Sequence, residues 1–158
     1  MAIKVEIPKE KGEGVTAILN GLLSDEYVLY TRTRNYHWNV VGPQFNDLHK
    51  FFEVQYEALS EIVDEVAERT RTVGGRSLGS LSEFLKSTRL NEYPGEHPDS
   101  RRMIENLLAD HESIIRTLRK DQSIPLESGD LGTNNFLIGL IERHEKMAWM
   151  LRSFVEKA

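Results

Sequence analysis

The stretch from Asn35 to Arg71, NYHWNVVGPQFNDLHKFFEVQYEALSEIVDEVAERTR, decides how this chain is read. It holds His37 and His49, twelve residues apart, followed by the carboxylates Glu53, Asp64 and Glu68. His49 to Glu53 and Asp64 to Glu68 are both i,i+4 steps, which place each pair on one face of a helix. From Pro43 to Val73 nothing interrupts a helical pattern, and Gly74-Gly75 then supplies a stop. His49 and Asp64 are separated by fifteen residues, or roughly 22 Å along a helix axis at about 1.5 Å per residue. Their angular offset is only about 60° at about 100° per residue. The two pairs therefore face the same way, yet one chain cannot bring them to one ion. Two such helices, antiparallel across a two-fold axis, would set His49 and Glu53 of one copy against Asp64 and Glu68 of the other. Self-complementary contact of that kind is what a two-fold homodimer makes. Any metal site is expected between subunits.

The whole chain sets the frame for that site. Its 158 residues suffice for one domain with a substantial core. A net charge of −5 disfavours non-specific attraction to nucleic acid or to an anionic membrane. There is no cysteine, so disulfides, thiolate metal sites and cysteine nucleophiles are excluded. The first residues alternate in charge without an apolar run, and no segment approaches the length of a membrane span. A cytoplasmic protein is expected.

Working outward, apolar residues recur at helical spacing in four long segments. The first runs from about Gly14 to Val40, with Val15, Ile18, Leu19, Leu22, Leu23 and Leu29. Residues 1–13 are expected to form a short segment ahead of a 14–158 domain. Gly42-Pro43 breaks the first helix, and Pro43 suits the start of the second. That helix carries Leu48, Phe51, Phe52, Leu59, Ile62, Val63 and Val66. Its apolar residues spread widely enough to suggest a second buried face, against another subunit. A short helix is expected near Leu81 to Lys86, where Ser80 and Glu83 have capping-box spacing. The third long helix begins near Asp99, with Ile104, Leu107, Leu108, Ile114, Ile115 and Leu118. Pro125 and Gly129 mark a break. Thr133 is the expected cap of the fourth, which carries Phe136, Leu137, Leu140, Ile141, Met147, Leu151 and Phe154. No segment reads as a strand. The pattern predicts an all-α fold: a ferritin-like four-helix bundle with a short extra helix in the crossing connection between helices two and three.

On these residues the chain resembles a family. His37-Trp38, His49, and Asp64 followed by Ala67-Glu68-Arg69 look like the motif of Dps, the mini-ferritins described as DNA-binding proteins from starved cells. Gly132-Thr133 and Trp149 look like that family's last helix. The resemblance implies a hollow shell of twelve identical subunits built from two-fold dimers. It implies iron as the metal: Fe(II) bound at the dimer interfaces, oxidised by hydrogen peroxide or oxygen, and stored as ferric mineral. It places His37, His49 and Glu53 on one subunit and Asp64 and Glu68 on its partner. Glu53 stands where many relatives have Asp, so its carboxylate reaches one methylene further. Trp38, beside the site, is either interface packing or a redox neighbour, and Tyr36 has the same option.

Imidazole and carboxylate donors suit Fe(II), but equally take Zn(II) or Mn(II). His111 and His144 interrupt the apolar stripes of helices three and four. They read as buried histidines with hydrogen-bond partners; a metal site with Glu112 or Glu145 is the weaker alternative, because sequence neighbours point about 100° apart. His97 sits in a loop and carries no signal. No histidine follows a glutamate by three positions, which argues against the Glu-x-x-His centre inside a single bundle. Glu127 and Asp130 are the acids nearest an expected pore, with exposed loop acids as an equal alternative. The alternative function is a DNA-compacting protein of the same fold. Against it, Lys4, Lys9 and Lys11 are balanced by Glu6, Glu10 and Glu13, and twelve copies of −5 would give about −60, a shell that repels phosphate. A third reading keeps the ligands only as an interface clip without redox chemistry.

Overall fold

The computed structural model describes residues 9–156; side chains are described from residue 12. Six helices follow in order: α1 Lys9–Asn39, α2 Phe45–Thr72, α3 Leu81–Ser87, α4 Ser100–Asp121, α5 Ser123–Glu127 and α6 Leu131–Val155. No strand occurs among the described residues. The fold is the all-α bundle that the apolar spacing predicts, with α3 in the connection between the second and third long helices. α1 starts earlier than Gly14, so the segment expected to lie ahead of the bundle is helical from Lys9; its first eight residues lie outside the described ones.

Pairwise contacts fix the topology. Tyr30 meets Tyr56 and Tyr36 meets Phe52, so α1 and α2 run antiparallel. Arg32 pairs with Asp110 while Asn106 donates to the Tyr36 hydroxyl, so α1 and α4 are also antiparallel. Arg119 pairs with Glu145 and Arg152 with Glu112, which sets α4 against α6. Consecutive long helices α2 and α4 are therefore parallel, and residues 73–99 must cross the bundle between them. That crossing is pinned to α1. Asn20 bonds the Arg76 carbonyl and the Leu78 amide, Tyr27 stacks on Phe84 at 4.6 Å, and buried Asp25 accepts from Thr88 and from the Arg89 amide and guanidinium.

The ends of the helices show what the sequence does locally. α2 closes on Gly74 at φ +88, with the Gly74 amide on the Arg71 carbonyl and the Gly75 amide on the Thr70 carbonyl, a Schellman arrangement. Ser80 and Glu83 form the expected capping box on α3, and Asp99 caps α4. Two boundaries differ from the sequence expectation. Pro43 lies in the turn, and α2 begins at Phe45 behind Gln44. The cap of α6 is Asp130, not Thr133: the Asp130 carboxylate accepts the Thr133 amide at 2.9 Å, three residues on, which is the reach of an N-cap side chain. The break expected at Pro125 and Gly129 separates α4 from α6, with Pro125 in the first turn of the short α5, where a missing N–H costs no helical bond.

The core is the set of stripes that the periodicity marks out. Val15, Leu19, Leu22, Leu23 and Leu29 pack with Leu48, Phe52, Leu59, Ile62 and Val66, and with Leu107, Ile114, Leu118, Leu137, Leu140 and Leu151. On α2, Val54 is 61 % exposed, and Trp38 of α1 and Val41 of the following turn are 64 % and 75 % exposed. Large apolar side chains are thus left uncovered on α1, α2 and the turn between them.

Candidate metal centre

The end of α1 and the start of α2 turn back on one another through residues 40–44, with Gly42 at φ +113. This hairpin brings together two histidines twelve residues apart. The rings of His37 and His49 stack with centroids 3.8 Å apart and planes 18° from parallel. His37 Nδ1 lies 2.7 Å from the His49 carbonyl, and His49 Nδ1 lies 2.8 Å from the His37 carbonyl. A carbonyl can only accept, so each Nδ1 must carry the hydrogen. In the neutral rings both Nε2 atoms are then lone-pair donors. Fixing the tautomer through a bond from the other ring nitrogen is how ligating imidazoles are held ready for a metal.

Aromatic groups bracket the pair. Phe45 stacks on His49 at 5.1 Å, and Tyr56 presents an edge to His37 at 5.1 Å. The Tyr56 hydroxyl donates to Glu53 Oε1 at 3.4 Å, which ties the half-buried carboxylate to the histidine cluster. Burial, and then the Glu53 charge, push the Tyr56 phenol up, so it stays protonated as a donor. Arg34 lies over the rings of Tyr56, Trp38 and Tyr30 at 5.0, 5.5 and 5.8 Å, and donates to the Tyr30 hydroxyl. Tyr56 and Arg34 were not marked by the sequence reading. Tyr56 follows Glu53 by three and His49 by seven, and that shared helical face was the available signal.

Asp64 and Glu68 lie further along α2, both exposed. Neither carboxylate has a hydrogen bond or ion pair among the described residues. They share their stretch of α2 with a shallow groove lined by Glu57, Ser60, Glu61, Val63, Asp64 and Ala67. α2 is continuous between His49 and Asp64, so the roughly 22 Å axial separation holds within one chain. Among the described residues, no three histidine, aspartate or glutamate side chains of one chain group to hold a metal. Five candidate ligands thus fall into two sets: His37, His49 and Glu53 at one end of α2, Asp64 and Glu68 nearer the other.

Of the remaining candidates, Tyr36 is buried and its hydroxyl accepts from Asn106. His97 is exposed in the crossing loop. Asp130 is buried and engaged as a cap with Arg69 and Thr133, which places it in the helix terminus and not on an open pore wall; Glu127 is exposed. His111 and His144 are both fully buried and bonded to each other, the reading that the sequence favoured. Their carboxylate partner is Glu26 of α1, while Glu112 and Glu145 turn outward to Arg152 and Arg119.

Known proteins of this shape point one way. The family model of the ferritin-like domain matches residues 16–158. The DNA protection during starvation protein 2 of Bacillus anthracis is 36% identical over 144 residues, covering 90% of this chain and 97% of that protein. This chain belongs to the Dps family of ferritin-like proteins. A low temperature-induced protein of Nostoc sp. (strain PCC 7120) is 47% identical over 98% of this chain and 87% of its own length. Among solved structures, the Dps protein of Vibrio cholerae O1, described as a member of a superfamily of ferritin-like diiron-carboxylate proteins, superposes with a TM-score of 0.91. It is 30% identical, over 99% of each chain. Dps from Thermosynechococcus elongatus gives 0.90 at 32% identity over 94% of each chain. As a Dps-family subunit this chain has no helix among the described residues long and apolar enough to cross a membrane.

Proposed function

We propose that this protein is a mini-ferritin ferroxidase. It binds Fe(II) as substrate between two-fold related subunits, with His37, His49 and Glu53 from one and Asp64 and Glu68 from the other. It passes the electrons to hydrogen peroxide and stores the ferric product inside a shell of twelve subunits. The observation that carries the reading is the reciprocal His37–His49 lock, which leaves two stacked imidazoles with free Nε2 lone pairs beside a carboxylate. Asp64 and Glu68, exposed and without a side-chain partner among the described residues, supply the hard oxygen donors that Fe(III) prefers. The uncovered Trp38, Val41 and Val54 give the α1–α2 side apolar surface for a second copy. Each peroxide takes one electron from each of two Fe(II), so both electrons leave the iron and water is the product. Trp38, whose exposed ring lies under Arg34, either packs in the interface between subunits or yields an electron when only one iron is bound.

The test is an anaerobic Fe(II) titration followed by peroxide. Ferric absorbance is expected to appear faster than in protein-free buffer, with about two Fe(II) consumed per peroxide, and to be strongly slowed in His49→Ala and Asp64→Ala. Oxidation at the protein-free rate would refute the reading. Fe(II) binding without faster oxidation would leave the ligands as an interface clip. The name of the Bacillus anthracis relative raises a DNA role, but the net charge of −5 opposes phosphate binding.

A further inference from the structure

The middle of the bundle holds three ionisable side chains that the proposed iron chemistry does not use. Glu26 of α1, His111 of α4 and His144 of α6 are each 0% exposed. His144 Nε2 lies 2.7 Å from Glu26 Oε1, and His144 Nδ1 lies 2.9 Å from His111 Nδ1. The three run in a line, so they do not converge on a point as ligands around an ion do. The line ends in two buried atoms with no hydrogen-bond partner among the described residues, Glu26 Oε2 and His111 Nε2. Buried polar groups left in this state demand an explanation.

Counting hydrogens gives one. The Nδ1–Nδ1 contact needs a single hydrogen, given by one ring and accepted by the other. With both rings neutral, His144 Nε2–H donates to Glu26 and His111 Nδ1–H donates to His144. One more proton makes His144 an imidazolium beside the Glu26 carboxylate; it then donates to His111, whose own hydrogen moves to Nε2, and the line is electrically neutral. A further proton makes both rings imidazolium. Two N–H groups then face each other at the 2.9 Å contact, and the bond cannot exist. Among the described residues, the charged groups on the neighbouring elements are engaged elsewhere. Asp25 of α1 is engaged by Arg89 and Thr88. Asp110 and Glu112 of α4 are held by Arg32 and Arg152. Arg143 and Glu145 of α6 face Glu61, Glu65 and Arg119. The buried residues of α2 and α3 include no ionisable group.

We propose that the Glu26–His144–His111 line is an acid-triggered latch: it joins α1, α4 and α6 while one imidazole stays neutral, and breaks when both are protonated, so that mild acid loosens the bundle. The inference does not depend on the iron reading. Burial, and then the His144 charge, hold His111 well below the ordinary imidazole range. The folded protein therefore takes this proton less readily than the unfolded chain. The contribution is fully present above the unfolded imidazole value of about 6.5 and shrinks as the pH falls below it. Each proton in the difference changes the unfolding equilibrium about tenfold per pH unit.

The test follows apparent unfolding constants of the full chain by far-UV circular dichroism in denaturant, as a function of pH between about 7.5 and 5. His111→Asn sets its side-chain amide near the Nδ1 position, where the NH2 donates to a neutral His144 and the oxygen accepts from its imidazolium, so the bond is kept in either state and the residue cannot titrate. Its pH slope below about 6 is expected to fall by about tenfold per pH unit relative to the parent. Glu26→Gln keeps an acceptor for His144 but removes the carboxylate that balances a proton on the line; its slope is expected to steepen. Slopes are compared because a uniform loss of stability leaves them unchanged, and because other histidines contribute equally to all three proteins. If His111→Asn does not fold at pH 7.5, Glu26→Gln decides: a steeper slope supports the latch, and an equal or shallower one overturns it. Unchanged slopes in both variants also overturn it.

Discussion

His37 and His49 show how much a single residue's second nitrogen decides. A histidine is a useful metal donor only if the remaining ring nitrogen is unprotonated and aimed, and each of these two has that settled by the other's backbone carbonyl. His49→Phe would keep a flat ring against His37 and Phe45 while removing the donor. Its Fe(II) affinity, measured anaerobically by calorimetry, is expected to fall by at least tenfold, whereas the lost Nδ1 hydrogen bond should cost about 1 kcal/mol of stability. Equal affinity in the variant would show that His49 is not a ligand. At this scale the sequence was readable where a residue type has few uses. Paired histidines and i,i+4 carboxylates stood out, and the buried reading of His111 and His144 was sound. Glu26 did not stand out, because Ser24-Asp25-Glu26 looks like a polar surface run. Its register, three residues after Leu23 and three before Leu29, nevertheless puts it on the apolar stripe of α1. A carboxylate on a buried stripe has to find a partner, and that partner comes from α6, 118 residues away.

At the scale of the elements, local chemistry sets where helices stop, and packing sets where they point. The Ser80–Glu83 capping box and the Gly74–Gly75 stop were legible because each uses a fixed offset between residues of restricted type. Ser80→Ala is expected to lower stability by about 1 kcal/mol, read as a shift in the denaturant midpoint. Gly74→Ala, forced to φ +88, is expected to be destabilising too. A midpoint unchanged in both would mean that the crossing segment is held by its contacts with α1 alone. The start of α6 was misread by sequence alone because Asp130 and Thr133 are both good caps. What chooses between them is tertiary: Arg69 of α2 reaches Asp130 and the Thr133 hydroxyl, and so ties the end of α2 to the start of α6. A Cβ at Gly132 would stand 2.7 Å from the Arg69 guanidinium. Gly132→Ala is therefore expected to displace Arg69 and lower the thermal midpoint, while Arg69→Ala should make the added methyl harmless. A full additive loss in the double variant would rule that coupling out.

The whole molecule is where one chain's geometry runs out. Bundle class and crossing topology followed from apolar periodicity and one long connection, since four amphipathic stripes have few ways to share a core. Assembly does not follow that way, because no single stripe encodes a partner. Native mass spectrometry is expected to give twelve subunits, and a monomer at micromolar concentration would contradict the proposed site. Plasmid DNA should not be retarded at about 150 mM salt, where screening already weakens surface attraction. The division of the site between chains has a sharper test. His49→Ala and Asp64→Ala should each abolish most peroxide-driven Fe(II) oxidation. When the two variants are mixed and reassembled, a mixed dimer has one interface with both defects and one with intact His49 facing intact Asp64. Activity should then recover to a fraction set by the share of mixed dimers, counted by mass. A site within one chain cannot recover, since every chain still carries a defect. Confirmed mixed dimers with no gain over either single variant would end the intersubunit model, and with it the meaning given to the roughly 22 Å that separate the two ligand sets along α2.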